Sequence, residues 1–133
     1  MIAWPSRRVW QIVLGIYGVA LMVATHWPGA QVNVIPGLRL DLFVHVGAYA
    51  ALAGLIALAG AGASLPPAPA TILVAAIGLA WASLDEATQA IPILRRTFDA
   101  HDLVADAAGV AIGSVAGVLL ARRRPKAGQE SSR

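Results

Sequence analysis

Long apolar stretches alternate with short polar or proline-rich connections along this chain. Each stretch is on the order of 20 residues, the length that a helix needs to cross the hydrocarbon core of a bilayer. No apolar–polar alternation of period two appears, which favours helices over strands. Short connections make consecutive helices antiparallel neighbours. The pattern predicts an all-α, integral membrane, four-helix antiparallel bundle with helices at about 9–27, 42–63, 70–91 and 103–121.

Composition supports a membrane protein with one domain, at 1–121, and a basic disordered tail at 122–133. The chain has 133 residues, of which 58% are hydrophobic and 13% are charged, whereas a soluble domain is about 25% charged. The absence of cysteine excludes disulfides, thiolate metal ligands and a thiol nucleophile. The net charge of +3 comes largely from the tail. No folded basic surface presents this charge, so nucleic acid is not an expected partner.

The distribution of lysine and arginine predicts the orientation. Two arginines precede the first apolar stretch and five basic residues follow the last, whereas the first loop carries Arg39 and the third carries Arg95 and Arg96. Because basic residues are enriched on the cytoplasmic side, both termini are expected there. The first and third loops then lie on the outer side.

Acidic residues interrupt segments that are otherwise apolar enough to be embedded. Asp85, Glu86 and Asp106 are the clearest cases. A carboxylate at the centre of a membrane helix costs roughly 2.5–3.5 kcal/mol on insertion scales. Each of these groups is therefore expected to have a partner or a function.

Spacing of four residues arranges the polar groups in stripes on three helices. At 1.5 Å per residue the deeper members of these stripes fall at a similar level in the outer leaflet, which predicts one polar pocket. Adjacent residues diverge by about 100° on a helix, so we expect one of Asp85 and Glu86 to face the pocket, and Asp85 shares the face of Gln89. The predicted ligand-binding residues are Asp41, His45, Tyr49, Asp85, Glu86, Gln89, Arg95, Arg96, Asp102 and Asp106.

A glycine ladder continues the fourth helix below Asp106. Gly109, Gly113 and Gly117 are separated by four residues, and small residues at this spacing allow close approach of another helix in a membrane. We predict a packing role for the ladder. Packing within one chain and packing between chains both remain open, and a homo-oligomer is one of the two outcomes.

The ordered combination of these motifs resembles the VanZ-like membrane proteins. The resemblance rests on Asp41-x-x-x-His45-x-x-x-Tyr49, Asp85-Glu86-x-x-Gln89, a following arginine, and Asp102 with Asp106 and the glycine ladder. It implies a small multi-pass protein of the bacterial cytoplasmic membrane and cell envelope, in a family associated with teicoplanin-type glycopeptide resistance. The chain departs from the family at Leu42, where a lysine is common, and at Asp106, where an asparagine is common. Both departures make this site more acidic.

Three functions fit these observations, and whether the protein is an enzyme stays open. The leading hypothesis is recognition of a membrane lipid or a lipid-linked cell-wall intermediate at the outer-leaflet pocket. The first alternative is an intramembrane acid/base or metal-dependent hydrolase or transferase. The second is proton-coupled transport. The candidate catalytic residues are His45, Asp85, Glu86 and Asp106.

Each candidate also has a purely structural interpretation. His45 can be a packing histidine paired with a carboxylate, and Asp85 can pair with Arg95 or Arg96. Both arginines can extend to the interface as ordinary surface charges. Asp99 or Asp102 can cap the fourth helix. No metal-binding motif such as HExxH is present, so the motifs assign no cofactor and no metal ligand.

Overall fold

The structure, a computed structural model, describes residues 4–27, 39–89, 91 and 99–124. This part of the chain is all-helical, and its four helices are long and apolar enough to cross a membrane. They are α1 (Arg7–Thr25), α2 (Leu40–Leu58), α3 (Pro67–Gln89) and α4 (Ala100–Arg122). The predicted residues Arg95 and Arg96 lie outside the described residues.

The helices begin two or three residues earlier than the hydrophobic pattern predicts, because polar and proline residues form their first turns. The Ser6 side chain caps α1 by accepting a hydrogen bond from the Val9 amide. Pro67 opens α3, a position that requires no amide hydrogen. Asp99 caps α4 by accepting a hydrogen bond of 2.8 Å from the His101 amide. Of the two residues predicted as candidates for this cap, Asp99 and Asp102, it is Asp99 that forms it.

The second helix ends at Leu58 rather than near residue 63. Gly60 and Gly62 follow it with φ angles of 104° and 69°, a left-handed conformation that glycine adopts at low cost. Their backbone turns the chain away from the helix axis, and an apolar composition alone does not reveal this.

Large apolar side chains cover much of the outside of the molecule. Ile16 is 67% exposed, Phe43 70%, Ile72 69% and Val104 70%, one from each helix. A helix that exposes side chains of this size on its outer face suits an apolar solvent such as lipid.

The most extensive helix contact joins α2 and α4, and the glycine ladder lies in it. A Cβ atom at Gly117 would be 2.7 Å from the Cα atom of Gly54, and one at Gly113 would be 2.7 Å from the Ala50 carbonyl carbon. The backbone of α4 approaches α2 this closely only because these positions lack a side chain. Within the described chain, the ladder packs against a helix of the same molecule.

The contacts also give the relative directions of the helices. At its middle α1 meets the middle of α2, where Tyr17 donates a hydrogen bond of 2.8 Å to the Ala48 carbonyl. Near its start α1 meets the end of α2, where Arg7 reaches the Ala59 carbonyl. These two helices therefore run in opposite directions. The successive ladder contacts show that α2 and α4 run in the same direction.

Three arginines donate hydrogen bonds to backbone carbonyls at the end of the molecule where α2 terminates. Arg7 Nε donates to the Ala59 carbonyl at 2.9 Å, Arg124 donates to the Leu58 carbonyl at 2.7 Å, and Arg122 donates to the Leu65 carbonyl. Cations suit the Leu58 and Ala59 carbonyls because the last carbonyls of a helix carry partial negative charge, whereas Leu65 lies in the connection before α3. Burial lowers the pKa of Arg124, and the neighbouring Arg7 lowers it further. The helix α4 extends to Arg122, the first residue of the predicted basic tail. Residues 125–133 lie outside the described residues, and the disorder of the tail stays a prediction.

Candidate functional site

Asp85 on α3 is the centre of the first half of a buried polar cluster. Its side chain accepts hydrogen bonds from Tyr49 Oη at 2.7 Å, Thr25 Oγ1 at 3.0 Å and Gln89 Nε2 at 3.2 Å. His26 Nδ1 lies 3.5 Å from the same carboxylate. Three different helices therefore satisfy one carboxylate that is 4% exposed.

The second half of the cluster is built around His45 on α2. Its Nδ1 atom lies 2.8 Å from Oδ1 of Asp106, and its Nε2 atom lies 3.8 Å from Oδ2 of Asp102. The imidazole also stacks on the Tyr49 ring, with centroids 6.4 Å apart. Since Tyr49 also donates a hydrogen bond to Asp85, this one side chain contacts both halves of the cluster.

Glu86 joins the second half from α3 and is 1% exposed. Its carboxylate accepts hydrogen bonds from the Asp99 amide and from Gln89 Nε2, both at 3.4 Å. These bonds are long for N–H donors to a charged oxygen. Glu86 is therefore a buried carboxylate whose hydrogen bonds from the described residues are too long to offset much of the cost of burial.

The expectation that only one member of the Asp85–Glu86 pair faces the site is wrong. Both side chains are buried, since α3 lies between two sets of polar partners. Asp85 is directed to Tyr49 and Thr25, whereas Glu86 is directed to the start of α4. The divergence of about 100° between neighbours on a helix thus separates two polar environments and does not expose one residue to lipid.

Arg39 lies at the more exposed edge of the cluster and joins α2 to α4. Its guanidinium is 3.0 Å from Asp41, 3.1 Å from Asp99 and 3.3 Å from Asp102. Asp41 is the largest cause of a raised pKa for Arg39. Hydrogen bonds from the His101 amide and ring, followed by Arg39, hold the pKa of Asp99 below its usual value. At this edge the pKa shifts of Arg39 and Asp99 therefore both favour the charged forms.

Most of the predicted site residues meet in this cluster. The structure brings together Asp41, His45, Tyr49, Asp85, Glu86, Gln89, Asp102 and Asp106. Arg95 and Arg96 are outside the described residues, so their predicted roles stay predictions.

Sequence reasoning missed three contributors: Thr25, His26 and Arg39. Thr25 and His26 are the last polar residues of the first apolar stretch. They lie at the same depth as the polar residues of the other three helices, and this depth could have predicted that they join the cluster. Arg39 stands two residues before Asp41. Without the fold, its two ion pairs with α4 could not be distinguished from an ordinary interfacial charge.

The charge of the cluster determines what it can bind. Six carboxylates gather here, and in the described part of the chain no arginine or lysine forms an ion pair with Asp85, Glu86 or Asp106. Such crowding favours a bound cation, an amine, hydroxyl donors or shared protons. The His45–Asp106 pair also has the geometry of a base held by an orienting carboxylate.

The fold and the cluster define a class: a helical protein whose four described helices are long and apolar enough to span a membrane, with a buried, acidic polar site near one end. No protein-family model, no curated protein and no solved structure matches this chain. The residues of the cluster and their geometry are therefore the basis for assigning a function.

Proposed function

We propose that the chain is a VanZ-like protein of the bacterial cytoplasmic membrane that recognises the polar head of a lipid or lipid-linked cell-wall intermediate. In this proposal the helices form an antiparallel bundle with both termini in the cytoplasm, because basic residues are more numerous at that end. The polar cluster then faces the outer leaflet. The link to glycopeptide resistance is part of the same proposal and rests on the resemblance alone.

The observation that carries the proposal is the position of Arg39. Its guanidinium binds three carboxylates at the edge of the cluster, and 43% of its side chain is exposed. A headgroup that approaches along the bundle meets this cation first and the carboxylates of α2 and α4 next. A phosphate suits the guanidinium, whereas hydroxyl or amine donors suit the carboxylates.

The outer surface of the bundle supplies the remaining part of the recognition. Exposed apolar residues such as Phe43 on α2 and Val104 on α4 lie within one turn of the cluster residues on the same helices. A lipid tail can pack along these side chains while the head occupies the polar edge. This combination distinguishes a lipid from a small water-soluble ligand.

Native mass spectrometry of the purified protein tests the proposal. Wild-type protein is expected to retain a lipid that is lost or reduced in Arg39→Gln and in the Arg95→Ala/Arg96→Ala double variant. Arg123→Gln is the matched control, because this exposed arginine is at the opposite end of α4. Co-purifying lipid that is unchanged in both site variants would contradict the proposal.

A hydrolase or transferase is the second candidate function, and the His45–Asp106 contact of 2.8 Å favours it. A histidine oriented by a carboxylate can accept a proton from water or from a substrate hydroxyl. The test is turnover of a short-chain lipid-linked pyrophosphate. Product formed by the wild type and lost in His45→Gln supports catalysis, whereas no product from the wild type removes this candidate.

A further inference from the structure

We infer that His45, Glu86 and Asp102 form a binding site for a divalent transition-metal ion, with Asp106 as the residue that positions His45. The three candidate ligands come from α2, α3 and α4, and one nitrogen or oxygen atom of each lies within 4.8 Å of the others. The inference concerns the protein alone and does not require the proposed lipid recognition.

The candidate ligand atoms must move closer together to hold a metal. Bonds from Zn²⁺ to imidazole nitrogen or carboxylate oxygen are about 2.0–2.2 Å, so two ligand atoms of a tetrahedral site are roughly 3.4 Å apart. The Nε2 atom of His45 and Oδ2 of Asp102 are already 3.8 Å apart. A pair at the 4.8 Å limit must approach by about 1.4 Å, and rotation about the side-chain torsions of both residues can supply this movement.

The hydrogen bond to Asp106 selects the tautomer that binds metal. A carboxylate accepts, so the His45 Nδ1 atom, 2.8 Å from Asp106 Oδ1, carries the hydrogen. The Nε2 atom then presents a lone pair towards Asp102, at a distance too long for a hydrogen bond. A histidine that donates one ring N–H to a carboxylate and offers the other nitrogen is the usual arrangement at a metal.

An independent observation also points to a missing positive partner. Asp106 is 0% exposed, and its Oδ2 atom has no hydrogen-bond partner among the described residues. Both oxygens of Asp106 share one carbon, so the unpartnered atom lies near the Nδ1 edge of the His45 ring, and a cation at Nε2 acts on it through the imidazole. A buried, unsatisfied carboxylate oxygen is costly, and a cation held by His45 lowers that cost.

The ligand types indicate the kind of ion. One imidazole and two carboxylates suit Zn²⁺ or Mn²⁺ better than Ca²⁺, which prefers six to eight oxygen ligands. The chain has no cysteine, so thiolate cannot complete the set. Three protein ligands also leave a position for water or another oxygen. The open position also suggests how an acidic site could accept a phosphate oxygen, because a bound ion would coordinate that oxygen. This last point rests on the proposed recognition of a lipid head.

The experiment uses full-length protein in detergent, purified without a histidine tag, stripped with a chelator and titrated separately with Zn²⁺ and Mn²⁺. Metal content after desalting and the midpoint temperature of unfolding are the readouts. The inference predicts about one equivalent of one of the ions and a rise in the unfolding temperature. His45→Gln, Glu86→Gln and Asp102→Asn are expected to lose both effects. Asp106→Asn is expected to weaken binding by about 10- to 100-fold.

The chain supplies a matched control in the exposed pair of His101 and Asp99, whose side chains are 3.0 Å apart. His101→Gln is expected to leave the metal content unchanged. If the wild-type protein binds neither ion, the inference is overturned and no variant is needed. Binding that survives all three ligand substitutions identifies an adventitious ion only and also overturns it. Because no lipid is added, loss of the metal site and failure of lipid recognition are scored separately.

Discussion

Tyr49 donates a hydrogen bond of 2.7 Å to Asp85, and both side chains are almost completely buried. This contact joins α2 to α3 at the centre of the polar cluster. A buried carboxylate is stable only where donors surround it. The phenol supplies the shortest of its hydrogen bonds, and its ring also supports His45.

Replacing Tyr49 with phenylalanine is expected to destabilise the protein by about 1–2 kcal/mol, because Asp85 loses a buried donor. The measurement is the free energy of unfolding in detergent micelles. A double-mutant cycle with Asp85→Asn isolates the pairwise energy.

Tyr17→Phe is the control for this cycle. The Tyr17 hydroxyl donates to the Ala48 carbonyl rather than to a carboxylate, so its removal should add independently to Asp85→Asn. If the coupling energy of Tyr17→Phe with Asp85→Asn equals that of Tyr49→Phe with Asp85→Asn, Asp85 does not depend specifically on Tyr49.

Gly113→Ala is expected to destabilise the α2–α4 contact by about 1–3 kcal/mol or more, as overpacking does in other cores. The new methyl group would meet the Ala50 backbone, which cannot rotate away. Gly47→Ala is the matched control on α2, since a Cβ there meets nothing within 4 Å. It should be neutral or stabilising, because alanine favours helices. Equal stability of the two variants in thermal unfolding would contradict the close packing of the ladder.

The sequence predicted the number of helices and the convergence of several polar side chains, for identifiable physical reasons. A helix rises by a fixed distance per residue, so His45, Asp85 and Asp106 could be assigned similar depths without coordinates. Their facing direction follows from the cost of a carboxylate in lipid. The helix ends were less accurate because capping by Ser6 and the backbone of Gly60 are local effects outside the apolar pattern.

The parts that could not be predicted depend on contacts distant in sequence. Thr25 lies 60 positions from Asp85, and Arg7 lies 52 positions from Ala59. Spacing within one helix carries no information about which neighbour lies beside it. The burial of Glu86 has the same origin, because its environment is created by the start of α4.

Arg7→Gln is expected to lower the free energy of unfolding by about 1 kcal/mol, because α2 loses a cation at its terminal carbonyls. Arg7 donates there to Ala59 and Gly60. Chemical unfolding in micelles measures the change. Arg8→Gln is the control, since Arg8 is exposed and makes no hydrogen bond to the described residues. A larger effect from Arg8→Gln would argue for general surface charge and against this specific cap.

The ionised Asp99 gives a contribution to stability that depends on pH. Its pKa is lowered in the folded protein, chiefly by the hydrogen bond from the His101 amide, relative to an unfolded value of about 3.9. The contribution is therefore complete above the unfolded pKa and is lost as the pH falls through the folded pKa. The stability difference between wild type and Asp99→Asn should be constant from pH 7 to 5 and shrink below pH 4. A difference that grows in acid would contradict this sign.

The orientation in the membrane can be tested with single cysteines, because the chain contains none. Ser64, between α2 and α3, and Ala100, at the start of α4, are both exposed and lie towards opposite ends of the helices. In intact spheroplasts a membrane-impermeant maleimide should label Ala100→Cys but not Ser64→Cys. Permeabilisation should expose both, which controls for reactivity. The reverse labelling would place the acidic cluster at the cytoplasmic surface, where lipid-linked intermediates of the outer leaflet cannot reach Arg39. That result would contradict the proposed outer-leaflet recognition and leave the metal site to be judged by its own titration.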